Sequence, residues 1–177
     1  MDNGETLTIP LKKHQDIYIA INNAKETMYT NQIGAFPITS KKGKKYIMIL
    51  CEIDNNVILS ETMRNRSSGE IVCTYLILMQ RLKAAGIRPK KHVLDNECST
   101  EFKQAIKENE LEYELVPKGQ HRRTLSELAL QTWKAHTIGA LSGVSATFPL
   151  VLWDELLPQL DMQVNILRYS NIHPKLC

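Results

Sequence analysis

The sequence predicts an α/β fold in which a mixed five-stranded sheet, with three antiparallel and then two parallel strands, carries helices on both faces. Extended apolar runs dominate the first part of the chain, whereas helices alternate with short strands in the second part. The 177 residues and a hydrophobic content of 43% suffice for one buried core. We therefore expect a single domain with extensions.

The first elements are extended. Residues 16–21 alternate enough to form a strand, and an Asn-Asn turn leads to a second run at residues 27–31, so we expect a hairpin. Residues 46–53 are almost continuously apolar, as in a strand buried on both faces. Residues 57–59 follow a turn and read as the antiparallel partner of that strand.

The first long helix is predicted from its ends and its spacing. Ser67 and Glu70 fit a capping box, in which each side chain accepts a hydrogen bond from the other residue's backbone amide. Gly86 is suited to end the helix, because glycine readily adopts the left-handed conformation. The apolar residues follow one helix face: Ile71, Tyr75, Leu78, Met79 and Leu82.

Strands and helices then alternate. A short buried strand spans residues 92–95, and Ser99 caps the next helix. A strand at 111–116 and a long helix at 124–141 follow, in the order typical of right-handed crossovers between parallel strands. The apolar face of the helix after Ser99 carries Phe102, Ala105 and Ile106.

A further helix opens at Pro149, and Pro158 should kink it. We expect this segment to pack on the edge of the sheet or on a neighbouring segment. The predicted organisation is a tail or linker at 1–15, a core domain at 16–145 and a helical extension, expected to be truncated, at 146–177.

Composition argues against several classes of protein. Cys51 and Cys73 lie in apolar runs typical of buried thiols, and the four cysteines form no CxxC pair, so we infer a reducing, intracellular compartment. No apolar run approaches the ~18 residues of a membrane span, and we expect no membrane association. The five histidines lack the spacing of zinc ligands.

Charge is clustered although the formal net charge is only +3, which alone does not indicate a nucleic-acid-binding protein. Each cluster by itself is more often a solvated loop than a binding site. One turn carries Lys41, Lys42, Lys44 and Lys45, and a later loop carries Lys118, His121, Arg122 and Arg123.

Two carboxylates provide the strongest functional signal. Asp95 ends a predicted strand, and open sheets with helical crossovers place their chemistry at that edge. Glu127 lies in the first turn of the long helix, directly after the basic loop. Each has a structural explanation, since Asp95 starts a turn with Asn96 and Glu127 fits a capping box with Thr124. Their combined order, with 127 − 95 = 32 positions between them, points to chemistry.

Carboxylates that converge at a sheet edge suit divalent-metal phosphoryl transfer. Two-metal catalysis holds a pair of Mg²⁺ ions about 3.5–4 Å apart with oxygen ligands. Lysine and arginine beside such a site bind phosphates and position a duplex without reading its sequence. The basic loop and Lys134 are therefore candidate DNA contacts. We expect His136 to be an ordinary helix residue, and Trp133 and Trp153 to lie in the core.

These residues resemble the integrase catalytic core of long-terminal-repeat retrotransposons, related to retroviral integrases in the ribonuclease-H-like superfamily. The resemblance covers roughly residues 16–170. It is carried by residues 28–37, 46–48, 94–97, 116–117 and the helix with Glu127. It implies a ribonuclease-H-like sheet and catalytic and metal-binding roles for Asp95 and Glu127. It implies two Mg²⁺ or Mn²⁺ ions if the protein is active, and no small-molecule cofactor. The implied partners are DNA and further copies of the chain. Nuclear localisation follows if the substrate is chromosomal DNA.

The chain departs from the family pattern at several positions. Asn31 falls where the first catalytic aspartate belongs and offers a neutral amide oxygen to the metals. Glu97 replaces a glycine, and Leu128 stands where an arginine is common. The resemblance therefore implies a degenerate site that is inactive or weakened. Asp54 and Asp16 are poor replacements, because one lies in a hairpin turn and the other on a different strand.

Three functional hypotheses remain from the sequence. The first is the integrase catalytic domain of a retrotransposon-type polyprotein, impaired in DNA cleavage and strand transfer by Asn31. The second is a non-catalytic remnant that binds nucleic acid or partner subunits through its basic loops. The third is a nuclease acting on RNA–DNA hybrids, which the residues around Gly34 and the helix with Glu127 disfavour.

Overall fold

The computed structural model describes residues 25–95, 98–116 and 125–169. The predicted strand at 16–21, and with it the predicted hairpin, lies outside these residues. The described elements, in chain order, are β1 (Thr27–Ile33), β2 (Tyr46–Glu52), β3 (Val57–Met63), α1 (Ser68–Ala84), β4 (Lys91–Asp95), α2 (Thr100–Glu108), β5 (Glu112–Val116), α3 (Leu125–Ser142), a 3₁₀ helix (Leu150–Leu156) and α4 (Leu157–Ile166).

The strands form one five-stranded sheet in the order β3-β2-β1-β4-β5. β1, β2 and β3 are antiparallel neighbours, whereas β4 runs parallel to both β1 and β5. The predicted fold class is confirmed. β1 is the central strand and joins the antiparallel and the parallel halves of the sheet.

Two hydrophobic cores cover the two faces of the sheet. β2 contributes to both, with Met48 and Leu50 in the core beneath α1 and α2, and Ile47 and Ile49 in the core beneath α3 and α4. This double burial explains why its sequence is continuously apolar. The two tryptophans belong to the second core, as predicted, since Trp133 and Trp153 are 2% and 1% exposed.

The ends of α1 follow the prediction only in part. The Ser67 side chain accepts the Glu70 backbone N–H at 3.4 Å, and Gly86 has a φ of 78° just after the helix. The Glu70 carboxylate, however, accepts the Arg64 backbone N–H at 2.7 Å, which lowers its pKa. The reciprocal half of the predicted capping box is therefore replaced by a tether to the preceding loop.

The segment after Pro149 forms two helices, where the sequence predicted one kinked helix. Leu152 has non-helical dihedrals, with φ of −100° and ψ of 16°. Pro158 lies in the first turn of α4, where a missing backbone N–H costs no intrahelical hydrogen bond. α4 packs on the edge strand as expected, and the Asn165 side chain bonds both the N–H and the C=O of Ile58, at 2.8 and 2.7 Å.

The two thiols in apolar runs have different environments. Cys51 is buried in β2, and burial raises its pKa to about 11. Cys73 is exposed, so the expectation of a buried thiol is wrong there. The neighbouring Thr74 and Tyr75 of α1 are buried, whereas Cys73 lies on the solvent side of that helix.

A buried carboxylate joins α4 to three other elements. Asp161 is 2% exposed and accepts hydrogen bonds from the Ser60 N–H at 2.9 Å, the Ser60 hydroxyl at 2.6 Å and the Trp133 indole N–H at 3.2 Å. Arg81 of α1 reaches around the sheet edge to the same carboxylate, at 2.9 Å. Asp161 therefore connects β3, α1 and α3 to the C-terminal helix.

Candidate active site at the carboxyl edge of the sheet

The strand register places positions 31 and 95 together. β1 and β4 pair Thr27 with Lys91 and Tyr29 with Val93, a constant offset of 91 − 27 = 64. Continuing this register by two positions sets residue 31 opposite residue 95, because 31 + 64 = 95. The ends of β1 and β4 lie at one edge of the sheet, so the backbone brings these two predicted site positions side by side.

Asn31 is already engaged within the chain. Its side chain is half-buried, and its Oδ1 accepts the backbone N–H of Gln32 at 2.7 Å. A carboxylate at this position would retain a second, charged oxygen after making that bond, whereas the amide retains an NH₂ donor. An asparagine at position 31 therefore differs from a carboxylate both in charge and in hydrogen-bonding character.

Glu127 lies in the first turn of α3 with its side chain exposed. Ala129 and Trp133 bury the opposite face of this helix against the sheet. The helix dipole favours a carboxylate at this end. Lys134 follows Glu127 by seven residues, about two turns, so both exposed side chains lie on one stripe of the helix. His136 instead contacts Gln163 of α4 at 3.3 Å.

Several predicted site residues lie outside the described part of the chain. These are Lys118, His121, Arg122 and Arg123 of the basic loop, together with Asp16, Asn96 and Glu97. Within the described residues, no group of three or more His, Cys, Asp or Glu side chains is placed to hold a metal ion.

Asp54 lies at the opposite edge of the sheet from Asn31. It belongs to the turn between β2 and β3, and its carboxylate accepts the Glu26 N–H at 2.8 Å, just before β1 begins. Asn31 lies near the other end of the same strand. Asp54 therefore lies away from position 31, at the other end of β1.

A cavity of about 450 Å³ adjoins Asn31 on the α1 and α2 side of the sheet. Arg66 lines this cavity. We did not predict Arg66 as a site residue from the sequence, although it follows closely after β3, which ends at this edge. Arg66 donates to the Ile33 carbonyl at 3.1 Å, so its guanidinium is held beside the end of β1. The polar lining consists of Thr30, Asn31, Gln32, Arg66, Ser68 and Ser99.

A buried histidine underlies this cavity. His92 of β4 is fully buried, and its Nε2 lies 2.9 Å from the hydroxyl of Thr30, which lines the cavity. The ring packs against Tyr75 and Phe102, which also contact each other, and desolvation lowers the pKa of His92 to about 3. His92 is therefore neutral at physiological pH and braces β1 against β4 just before the candidate site.

Comparison with solved structures identifies the fold. The catalytic core domain of BIV integrase superposes with a TM-score of 0.59 at 11% identity, covering 82% of this chain and 86% of that one. The chain has the fold of a retroviral integrase catalytic core. A chain of the simian T-cell lymphotropic virus intasome, solved in complex with PP2A regulatory subunit B56 gamma, gives a TM-score of 0.62 at 16% identity. That match covers 81% of this chain and 49% of the viral chain, about half of its length.

Matches at the level of whole sequences are absent although the fold matches. No protein family profile matches the chain, and no curated protein matches it by sequence. Within the described residues, no helix is both long enough and apolar enough to cross a membrane.

Proposed function

We propose that this chain is the catalytic domain of a retrotransposon-type integrase, whose reaction is divalent-metal-dependent cleavage and joining of DNA, and that Asn31 impairs it. Asp95 and Glu127 are the carboxylates we assign to the site, with Asn31 as the degenerate third position. Lys118, His121, Arg122, Arg123 and Lys134 are the phosphate contacts that we assign.

One observation supports this proposal above the others. Residues 31 and 95 occupy neighbouring register positions at the carboxyl edge of an integrase-core sheet, where two parallel strands end. Reactive groups of open α/β sheets gather at this edge. Glu127 has the chemistry and the exposure to join them from the first turn of α3, which packs on β1 and β2.

The assigned ligands provide the oxygen atoms that a divalent cation prefers, but one negative charge fewer than three carboxylates would. Carboxylate and amide oxygens are the ligands that Mg²⁺ and Mn²⁺ prefer. Asn31 contributes no negative charge, and its oxygen is shared with the Gln32 N–H. In a two-metal site the ions activate the attacking oxygen and stabilise the leaving oxygen. The residues of this chain would hold the ions, with Asp95 and Glu127 as ligands, and would orient the phosphodiester.

Partners follow from the same proposal. DNA is the substrate, and the chain self-associates to present two ends for joining. No small-molecule cofactor is required, and action on chromosomal DNA would place the protein in the nucleus.

A second function is favoured by Asn31 itself. A domain that has lost one catalytic carboxylate can keep its fold and bind nucleic acid or partner subunits through its basic loops. Such a domain would bind DNA in a salt-dependent manner without metal-stimulated turnover.

The test is Mg²⁺- and Mn²⁺-dependent nicking and strand joining on labelled duplex DNA, with the chain as given compared with Asn31→Asp. Glu127→Gln in the Asn31→Asp background is the matched control, because it removes one assigned ligand without shortening the side chain. We expect activity only in Asn31→Asp, and loss of it in the double variant. An RNA–DNA hybrid is included as substrate, and faster cleavage of the hybrid than of the duplex would favour the ribonuclease-H-type hypothesis.

The outcomes separate the hypotheses. Turnover by the unaltered chain would show that Asn31 is compatible with catalysis and would contradict the assigned impairment. If neither variant acts while both remain folded and bind DNA, the non-catalytic function replaces the catalytic one.

A further inference from the structure

A second basic surface lies at the same edge of the sheet as the candidate site. Residues 34–45 connect β1 to β2, and residues 64–67 connect β3 to α1. Because β1, β3 and β4 all run in the same direction, both connections lie at the edge where positions 31 and 95 meet. Segments 34–45 and 64–67 contain six lysine and arginine residues and no carboxylate.

Among the described residues, two of these six cations form ion pairs with carboxylates. Lys42 pairs with Glu155 at 2.7 Å, and Lys44 pairs with Glu70 at 3.4 Å. No carboxylate in the described part of the structure lies within ion-pair distance of the other four. These four residues, Lys41, Lys45, Arg64 and Arg66, are exposed, and we call them the edge cations.

The backbone places the edge cations next to one another. The Lys45 N–H donates to the Met63 carbonyl at 2.9 Å, so Lys45 and Arg64 extend the antiparallel register of β2 and β3. The Arg66 guanidinium lies over the ring of Tyr46, 5.1 Å from its centroid. Arg66 also lines the cavity that reaches Asn31. The positive surface therefore continues from the two loops into the candidate site.

The loop that carries the lysines is anchored to the 3₁₀ helix by several contacts. Trp153 stacks on Phe36 at 4.2 Å, and its indole N–H donates to the Ile38 carbonyl at 2.8 Å. The Ser40 hydroxyl donates to buried Asp154 at 3.0 Å, and the Lys41 N–H donates to the Val151 carbonyl at 2.7 Å. A cationic loop that is anchored by such contacts loses less conformational entropy on binding than an unanchored loop.

We propose that the edge cations Lys41, Lys45, Arg64 and Arg66 bind the phosphates of duplex DNA beside the candidate site, separately from the loop at 118–123. This rests on the proposed function for the choice of DNA as the polyanion. Lysine and arginine with no internal carboxylate partner neutralise phosphates and release condensed counterions from the DNA, which makes binding steeply salt-dependent. They position the duplex and carry no sequence specificity.

The test measures duplex DNA binding by fluorescence anisotropy with the full chain in EDTA, over a series of salt concentrations. The test variant is Lys41→Gln/Lys45→Gln/Arg64→Gln, and Arg66 is left intact because it also bonds the Ile33 carbonyl. The control variant is Lys83→Gln/Arg88→Gln/Lys107→Gln, which removes the same charge from exposed residues at the other edge of the sheet. Circular dichroism and urea unfolding verify that both variants fold.

We expect the test variant to lower the magnitude of the slope of log K against log salt concentration by about 2.7, because each phosphate that a side chain neutralises contributes about 0.9 to it. The affinity difference between the chain and the test variant should then shrink by about 40-fold between about 50 and about 200 mM salt. The control variant should leave the slope unchanged. Equal changes of the slope in the two variants would overturn the proposal, because DNA binding would then depend on the net charge of the protein and not on the edge cations.

Two further results distinguish this proposal from the proposed function. If the slope is unchanged in the test variant while Asn31→Asp restores metal-dependent turnover, the edge surface is wrong and the catalytic assignment stands. If the slope falls as expected while no variant turns over, the surface is supported and the catalytic assignment fails. If the chain binds poly-glutamate but not DNA, and the test variant weakens that binding, the partner is an acidic protein and the proposal is overturned.

Discussion

Removal of the Asp161 carboxylate should destabilise the domain strongly. Asp161 is 2% exposed and accepts four hydrogen bonds, three of them from buried donors of β3 and α3. In Asp161→Ala the Ser60 N–H and the Trp133 indole N–H are left without an acceptor in a buried site. Each unsatisfied buried donor costs about 1–3 kcal/mol. The Ser60 hydroxyl can rotate to another acceptor, so we assign it no cost.

Arg81 contributes little to this estimate. Its side chain is 35% exposed and keeps its bond to the Ser60 carbonyl at 2.7 Å, so water can solvate the guanidinium once the carboxylate is gone. The two orphaned donors then give a loss of about 2–6 kcal/mol. This range includes the roughly 3–5 kcal/mol typical of removing one partner from a buried ion pair. This is a large share of the roughly 5–15 kcal/mol that stabilises a domain.

Urea unfolding followed by far-UV circular dichroism measures this loss as a lower midpoint at unchanged m-value. Asp161→Asn should fall between Asp161→Ala and the parent chain, because the amide keeps one acceptor oxygen. Glu155→Ala is the control, since it removes an ion pair whose side chains are 60% and 52% exposed, and it should not shift the midpoint measurably. A loss below about 1 kcal/mol in Asp161→Ala would refute the reasoning.

Three further predictions concern other parts of the domain. The pKa of His92 is about 3 in the folded state and about 6.5 in the unfolded state, so the unfolded state binds more protons between these pH values. The free energy of unfolding should therefore fall as pH drops through this range, by at most ~1.4 kcal/mol per pH unit. Urea unfolding at several pH values should show a weaker pH dependence in His92→Gln. Gly139 lies in the exposed interior of α3 with open space around it, so Gly139→Ala should stabilise the domain by about 0.5–1 kcal/mol. Gly86 has a φ of 78°, so Gly86→Ala should destabilise the domain by about 1–2 kcal/mol. Thermal unfolding should therefore show a higher melting temperature for Gly139→Ala and a lower one for Gly86→Ala, and shifts of equal sign would contradict the conformational argument. A thiol reagent at mildly alkaline pH should modify exposed Cys73 rapidly and Cys51 only after unfolding, because burial raises the pKa of Cys51 to about 11; mass spectrometry of digested protein identifies the modified residue.

The fold was predictable because local and long-range signals agree. Ser99 caps α2 by accepting the Phe102 N–H at 3.2 Å, and Gly86 ends the turn after α1, as their sequence positions predict. The continuous apolar run of β2 predicted burial on both faces, and the two cores show why. The alternation after α1 predicted parallel strands, and β4 and β5 are parallel.

Other features depend on contacts that no local pattern encodes. Glu70 satisfies the helix-start pattern, yet its carboxylate bonds Arg64, six residues earlier, because the loop after β3 folds back on it. Cys73 lies in an apolar run, but the rotation of α1 on the sheet turns it to solvent. The break at Leu152 lies within the 3₁₀ helix, whose Asp154 accepts the Ser40 hydroxyl of the connection between β1 and β2.

The neighbouring placement of positions 31 and 95 was predictable, but their surroundings were not. Register alone sets position 31 beside position 95, since strand ends at one edge follow from topology. Arg66 and its cavity were missed, because a short Arg-Asn-Arg loop has no signature until its neighbours are known. The roles of Asp95 and Glu127, and of the basic loop at 118–123, remain proposals.

Divalent-metal binding tests the assigned site most directly. Isothermal titration calorimetry with Mn²⁺ should compare the chain, Asn31→Asp, and Asn31→Asp/Glu127→Gln, each verified to be folded. A restored carboxylate at position 31 should tighten Mn²⁺ binding by at least about 10-fold, since even indirect changes at metal sites cost about 10–100-fold. The additional loss of Glu127 should remove that gain. Equal Mn²⁺ affinity in all three proteins would contradict the assignment of residues 31, 95 and 127 to one metal site.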